Sequence, residues 1–236
     1  LDLIVTSPSV SHKVTLTNGE EHIIEQASAL PDASNILEIA EPWVRGEVVT
    51  PSQFIGGILQ LIIEARGRQT KLDYLDETRA VLGFEAPLAE VLTDFYDALK
   101  SLTAGYASLS YEWDRYEVGD LVRVDILLGG DKVDALGTIT ARSKSVAYGK
   151  KVCDRLKELI PRQNFEIAVQ AAIGAKFIAR ENISAVRKDV TAKLYGGDVS
   201  RKKKLLQKQK KGKARMKQFG KVSVPSDVFM NLIKRD

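Results

Sequence analysis

Eleven cations and no carboxylate occupy the stretch from Val199 to Ser226: Arg201, Lys202, Lys203, Lys204, Lys208, Lys210, Lys211, Lys213, Arg215, Lys217 and Lys221. Ammonium and guanidinium groups at this density displace the counterions condensed on a phosphate backbone. The chemistry on offer is therefore the binding of a polyanion, foremost nucleic acid. Such contacts position a backbone and read little base sequence. The formal net charge of +4 conceals how lopsided the chain is. Residues 1–120 carry 8 Lys and Arg against 20 Asp and Glu, whereas residues 121–236 carry 27 against 11. A solvated tail or a localisation signal is the plain alternative for a charge run. Against it stands the spacing of Leu205, Gln209, Gly212, Met216 and Phe219, at four, three, four and three residues. That period predicts a helix over 200–219 with one narrow apolar seam. The Leu205, Gln209, Gly212 and Met216 side would face the rest of its domain, packing closely at Gly212. Lys202, Lys203, Lys208, Lys210, Lys213 and Lys217 would then be largely solvent-exposed. The seam is too poor in apolar residues for the helix to insert into a membrane surface.

Nothing else in the chain has the spacing of a reactive centre. No G-x-x-x-x-G-K-[ST] segment occurs, and Gly149-Lys150 and Gly220-Lys221 lack both the upstream glycine and the following hydroxyl residue. His12 and His22 fall in a predicted hairpin, outside any metal-ligand spacing, and read as surface strand residues. Cys153, the single cysteine, lies beside the apolar face of a helix and reads as core; one cysteine also precludes an internal disulfide. Glu85, Glu90, Asp94 and Asp97 are read as helix-start or solvent-face carboxylates. No apolar run approaches the roughly 20 residues that span a bilayer; the cluster Ile58 to Ile63 is broken by Gln60.

Mixed hydrophobic periods place these residues on an α+β scaffold. Leu3–Val5 and Val10–Leu16 read as strands, with Asn18-Gly19 turning the chain back through Glu21–Glu25. The opening Leu1-Asp2-Leu3-Ile4-Val5 has neither an initiator Met nor a signal-peptide pattern and looks like mid-strand, as in a piece of a longer chain. Residues 27–40, with Pro31 and Asn35, read as a linker or a loop with a short helical turn. Trp43–Val49 predicts a strand, followed by a helix with Thr50 as N-cap, Pro51 at its first position and Gln53 completing a capping box. Gly67 would end that helix. Strands at 69–75 and 79–85 follow, then a helix with Leu92, Phe95 and Leu99 buried, ended by Gly105, and a strand at 106–113. The order βαββαβ over 41–118 is that of a ferredoxin-like domain with both helices on one sheet face. A second domain over 119–236 would contain strands at 121–128 and 132–139 and a helix bearing Tyr148, Val152, Leu156 and Leu159. Strands at 165–173 and 176–179 would follow, then a short helix near 184–188, the basic helix, and a last helix carrying Val228, Phe229, Leu232 and Ile233.

Particular motifs then carry a resemblance. Pro87-Leu88-Ala89-Glu90, Phe95, Leu99, Lys100-Ser101, Thr103, Gly105 and Ser108 resemble the domain of elongation factor G that follows its tRNA-mimicking domain. Pro51, Phe54, Gly57 and Arg66-Gly67 match that domain's first helix and turn. Glu158-Leu159-Ile160-Pro161-Arg162-Gln163, Gln170-Ala171-Ala172-Ile173-Gly174, Ala192-Lys193-Leu194-Tyr195-Gly196-Gly197-Asp198 and Ser200-Arg201-Lys202-Lys203-Lys204-Leu205-Leu206 resemble the signature of the LepA family, the elongation factor 4 group of translational GTPases. The family pattern is broken at Ala141, where a His is usual, at Leu194, where Cys is frequent, and at Tyr106, where elongation factor G carries Arg.

The resemblance implies that residues 1–40 are the remnant of an upstream third domain with its linker. It makes 41–118 a domain V of elongation factor G type and 119–236 a LepA-type C-terminal domain. It implies a ribosome-binding part of a factor associated with reverse translocation and the remodelling of stalled ribosomes. Its partners would be large-subunit rRNA and the tRNA acceptor arm, with no small-molecule substrate, no transmembrane segment and a monomeric state. GTP and Mg would belong to the parent's GTPase domain, which has no positions here, so this part would hold no cofactor and catalyse nothing. The implied location is the bacterial cytoplasm, with peripheral contact at the inner membrane or an organellar homologue as variants. A free-standing RNA-binding, ribosome-associated module and a scaffold for an acidic protein are the competing readings.

Overall fold

The computed structural model describes residues 9–186, 190–191 and 199–219, together with Val222, Val228 and Leu232. The chain divides into two compact units, one spanning Ser7–Leu121 and the other beginning at Val122. Each is a mixed α+β unit built on an antiparallel sheet.

In the first unit a hairpin of β1 (His12–Leu16) and β2 (Glu21–Ile24) turns at Gly19, whose φ of 86° suits a residue without a Cβ. β3 (Ile36–Pro51) is 16 residues long, so it serves two sets of neighbours. Its first residues pair with β1, and its Trp43–Pro51 stretch pairs with β5 (Arg79–Pro87). On its other side it pairs with β6 (Ser108–Gly119), while β4 (Arg68–Tyr74) closes the far edge against β5. The path β6-β3-β5-β4, with α1 (Ile55–Glu64) between β3 and β4 and a helical stretch between β5 and β6, is the ferredoxin-like arrangement that the sequence predicts. That stretch comprises α2 (Leu88–Glu90), a π-helical turn (Val91–Phe95) and α3 (Tyr96–Leu102). Both helical layers lie on one face: Val44 and Val48 of β3 and Leu82, Phe84 and Ala86 of β5 share a core with Ile58, Ile62, Val91, Phe95 and Leu99. Gly46 makes room in that core for the ring of its cross-strand partner Phe84, because a Cβ there would sit 2.6 Å from it.

Several local expectations are corrected. Short 3₁₀ turns occupy Ala27–Ala29 and Ala33–Asn35, but residues 36–40 are strand, not linker, and through them the β1–β2 hairpin joins the same sheet as the βαββαβ core. Thr50 caps nothing: it is buried in β3, and a 3₁₀ turn (Ser52–Phe54) leads into α1 without a side-chain cap. At the first of the helix ends predicted at glycines the chain turns one residue before Gly67, whereas at the second Gly105 itself turns, with φ of 82°, together with the residue before it. Arg66 and Ala104 take the left-handed conformation, with φ of 58° and 49°. The following Gly67 and Gly105 donate back to Ile62 and Lys100. Gly67 is needed for another reason: a Cβ there would meet the Glu85 carbonyl at 2.7 Å. Leu92, predicted buried, is exposed, since the π-helical turn brings Val91 and Phe95 inward and leaves Leu92 outside.

The second unit carries β7 (Leu121–Leu128), β8 (Asp131–Lys132), β9 (Thr138–Ala141), β10 (Ile167–Ile173) and β11 (Lys176–Ile183) in the order β11-β10-β7-β8, with β9 also on β7. The return predicted over 132–139 is split by a 3₁₀ turn (Asp134–Leu136). α4 (Arg142–Leu159) packs Val152, Cys153 and Leu156 against Val124, Ile126, Ile167, Val169 and Ala171. Gly149 lets α4 approach β10, since a Cβ there would lie 2.9 Å from that of Ala171. α5 (Val199–Phe219) is the basic helix. Residues 184–186 are not helical, and the rest of the short helix predicted there lies outside the described residues. Val228 and Leu232 are helical and join this core, as the last predicted helix requires; Phe229 and Ile233, like Leu3–Val5, lie outside the described residues.

Candidate nucleic-acid interface

α5 is set by its own period and by the absence of proline between Val199 and Phe219, with Gly212 its one weak helix former. Taking about 100° per residue, Leu205, Gln209, Gly212 and Lys213 fall on one side together with Lys202, and these are the residues partly covered. Arg201, Lys203, Lys204, Lys208, Lys210, Lys211 and Arg215 are exposed and fan over roughly 200° of the circumference. Lys217 falls in the last turn, and Lys221 lies outside the described residues. No Asp or Glu interrupts the helix.

The seam is thinner than the sequence predicts. Met216 lies on the covered side by angle yet is 47% exposed, and a Cβ on Gly212 would meet nothing within 4 Å, so no close packing occurs there. Lys202 and Lys213 are half-buried rather than free. Lys213 donates from Nζ to the carbonyl of Val186 at 3.1 Å, so part of the attachment is polar. The physical reason is content: one leucine and one glutamine in the covered arc provide too little apolar surface to hold a helix alone.

The basic helix is not the only cationic feature of this unit. Lys150 and Lys151 on α4, Arg162, and Lys176 and Arg180 on β11 are exposed. They are dispersed along the sequence and lack the dense signature of the 199–226 run. Lys157 is neutralised locally: it pairs with Glu181 at 2.7 Å, which raises the ammonium pKa and lowers that of the carboxylate. Asp125, 6% exposed, is held by Arg123 at 2.7 Å and Lys132 at 3.0 Å, a structural clamp inside the sheet.

The residues set aside as unreactive are placed as follows. Cys153 is fully buried, and burial, with Asp154 and Glu181 nearby, pushes its thiol up to about 11, which suits core and not nucleophile. His22 is exposed beside Glu20 at 3.7 Å. His12 corrects the sequence reading: it is 7% exposed, and its pKa is lowered to about 4 by burial, with Arg66 adding to the effect and a backbone hydrogen bond at Val10 opposing it. Ala141, at the start of α4, is buried. Among the described residues no group of three His, Cys, Asp or Glu is arranged for a metal, and no helix is long and apolar enough to cross a membrane.

Two family profiles divide the chain close to the boundary between the units. Residues 38–127 match the elongation factor G C-terminus, and residues 128–234 match the C-terminus of the GTP-binding protein LepA. The chain belongs to the LepA family. Proteins named elongation factor 4 match it along its length: 51% identity over 236 residues in Chlorobium chlorochromatii, 49% over 236 in Sulfurimonas denitrificans and 51% over 235 in Acetivibrio thermocellus. Coverage of this chain is 100% in each case, whereas it spans only 39–40% of those relatives' own length. This LepA-family chain is thus similar to the C-terminal part of a translation elongation factor, and the reading as a free-standing module finds no support. The ferredoxin-like core of the first unit falls under the elongation factor G match, which begins after the β1–β2 hairpin, and α5 falls under the LepA match.

Proposed function

We propose that this chain is the ribosome-engaging C-terminal part of a LepA-type factor, and that α5 supplies its contact with RNA. The observation that carries the reading is the arc of exposed Lys and Arg on α5, uninterrupted by any carboxylate, in the half of the chain with a large positive excess. Cations spread around a helix bind phosphates from several directions without demanding a sequence. The RNA partners are large-subunit rRNA and the acceptor arm of tRNA, on a ribosome being remodelled during protein synthesis. The chain acts as a monomer in the bacterial cytoplasm, and the residues ahead of β3 derive from the factor's third domain. It performs no catalysis and holds neither GTP nor Mg; GTP hydrolysis belongs to the parent protein.

Co-sedimentation with large ribosomal subunits tests this. The chain is expected to pellet with intact subunits and to be released when surface RNA is digested by nuclease. Pelleting that survives digestion would instead favour the binding of an acidic protein and would overturn the RNA reading.

A further inference from the structure

We propose that Phe177 is a base-stacking residue, which, on the reading of this unit as RNA-binding, takes an unpaired nucleotide whose phosphate is met by Arg180. The argument starts from the register of the hairpin. β11 is the edge strand of its sheet, and it pairs with β10 as Ile167↔Ile183, Val169↔Glu181 and Ala171↔Ala179. These positions face α4: Ile183 is in the core, Glu181 is bridged by Lys157 of α4, and Ala171 lies against Gly149. Continued alternation would send Phe177 to the same side. The pairing instead steps from Ala171↔Ala179 to Ala172↔Phe177, leaving Ile178 as an extra residue on β11.

That β-bulge places Ile178 against Gly149 and turns Phe177 onto the opposite face, the one that Arg180 shares through its pairing with Gln170. Ala172 and Gln170 on β10 are buried, whereas Phe177 is 55% exposed on the rim. Arg180 is exposed on that same face, with no ion pair among the described residues. A single exposed aromatic is unremarkable by itself. Here the β-bulge removes a phenyl ring from the core side and sets it on the face that carries Arg180. An aromatic face flanked by positive charge suits a nucleobase, because every base offers a π-face and carries a phosphate with it. Duplex RNA hides its bases within stacks, so the ligand is single-stranded.

The test uses the full chain and two fluorescent RNAs: a blunt-ended hairpin, and the same hairpin with a single-stranded 3′ tail containing 2-aminopurine. Wild type is expected to bind the tailed RNA more tightly and to quench the 2-aminopurine. Phe177→Ala should lose roughly tenfold or more of its affinity for the tailed RNA, abolish the quenching and leave blunt-hairpin binding unchanged. Phe177→Trp should retain both. The ring is on the surface, so neither variant threatens folding. Equal binding of the tailed RNA by wild type and Phe177→Ala, with blunt-hairpin binding intact, would overturn the stacking role while leaving the basic-helix reading in place. Failure of wild type to bind either RNA would overturn both.

Discussion

Arg66 grips both carboxylate oxygens of Glu41, Nη1 to Oε1 at 2.7 Å and Nη2 to Oε2 at 2.8 Å, from a left-handed backbone with φ of 58°. Its Nε donates to Glu90 at 2.9 Å, so one side chain ties the end of α1 to β3 and to the start of the second helical stretch. Glu41 is 3% exposed, and its charge is tolerable only while paired. Arg66→Ala is therefore expected to destabilise the chain by about 3–5 kcal/mol. Arg66→Gly should be less damaging by about 1 kcal/mol, since glycine takes the left-handed conformation without strain. Urea unfolding of both variants checks the order; equal losses would show that backbone strain plays no part.

Phe95 is 2% exposed and stacks on Phe84 with ring centroids 5.3 Å apart, joining the helical layer to β5. Truncating it to Ala should cost about 3–5 kcal/mol. The exposed neighbour Leu92, turned outward by the π-helical turn, should cost under about 1 kcal/mol on the same change, as surface substitutions do. The contrast is read from the two denaturation midpoints.

His12 makes stability depend on pH in a defined window. Its pKa is lowered from 6.5 to about 4 in the folded chain. Between these values the unfolded chain binds the extra proton, so stability rises with pH there. The contribution is fully present above about 6.5 and is lost as pH falls toward 4, amounting to roughly 3 kcal/mol. Wild type minus His12→Asn, measured by chemical unfolding from pH 7 to pH 4, isolates it from the titrating carboxylates. A difference that does not change with pH would contradict the burial argument.

How far the sequence reached follows from the physics of each signal. The ferredoxin-like core was legible because Val44 and Val48, Leu82 and Phe84, and Phe95 and Leu99 repeat at the strand and helix periods. The end of α1 was misplaced by a residue because the turn is taken by Arg66, a type that seldom adopts positive φ, held there by acids distant in sequence, whereas Gly105 turns where expected. The strand at 36–40 was hidden by Pro31 and Asn35, whose turn chemistry dominates a local reading. For α5 the period gave the helix and its covered side, yet no local pattern shows that the cover runs out before Met216. Nor does any local pattern reveal a bulge: Phe177 reads as one more alternating residue until its partners on β10 are known.

The lack of a phosphate-cradling loop in the sequence leads to a thermodynamic expectation. Titration of the purified chain with GTP and Mg should give no saturable heat, with or without ribosomes. Stoichiometric binding would contradict the assignment of nucleotide chemistry to the parent protein alone.

The central claim is that the exposed face of α5 neutralises RNA phosphates, and the salt dependence of RNA affinity tests it most directly. Affinity should fall linearly on a log–log plot against salt, with a slope of roughly −0.7 to −0.9 per phosphate neutralised. Replacing the exposed Lys203, Lys204 and Lys208 together by Gln should make that slope shallower by roughly 2 to 3, and should weaken binding to tRNA and to unrelated RNAs by a similar factor. Unchanged affinity and an unchanged slope in the triple variant would show that the helix is a solvated charge run and would contradict the account.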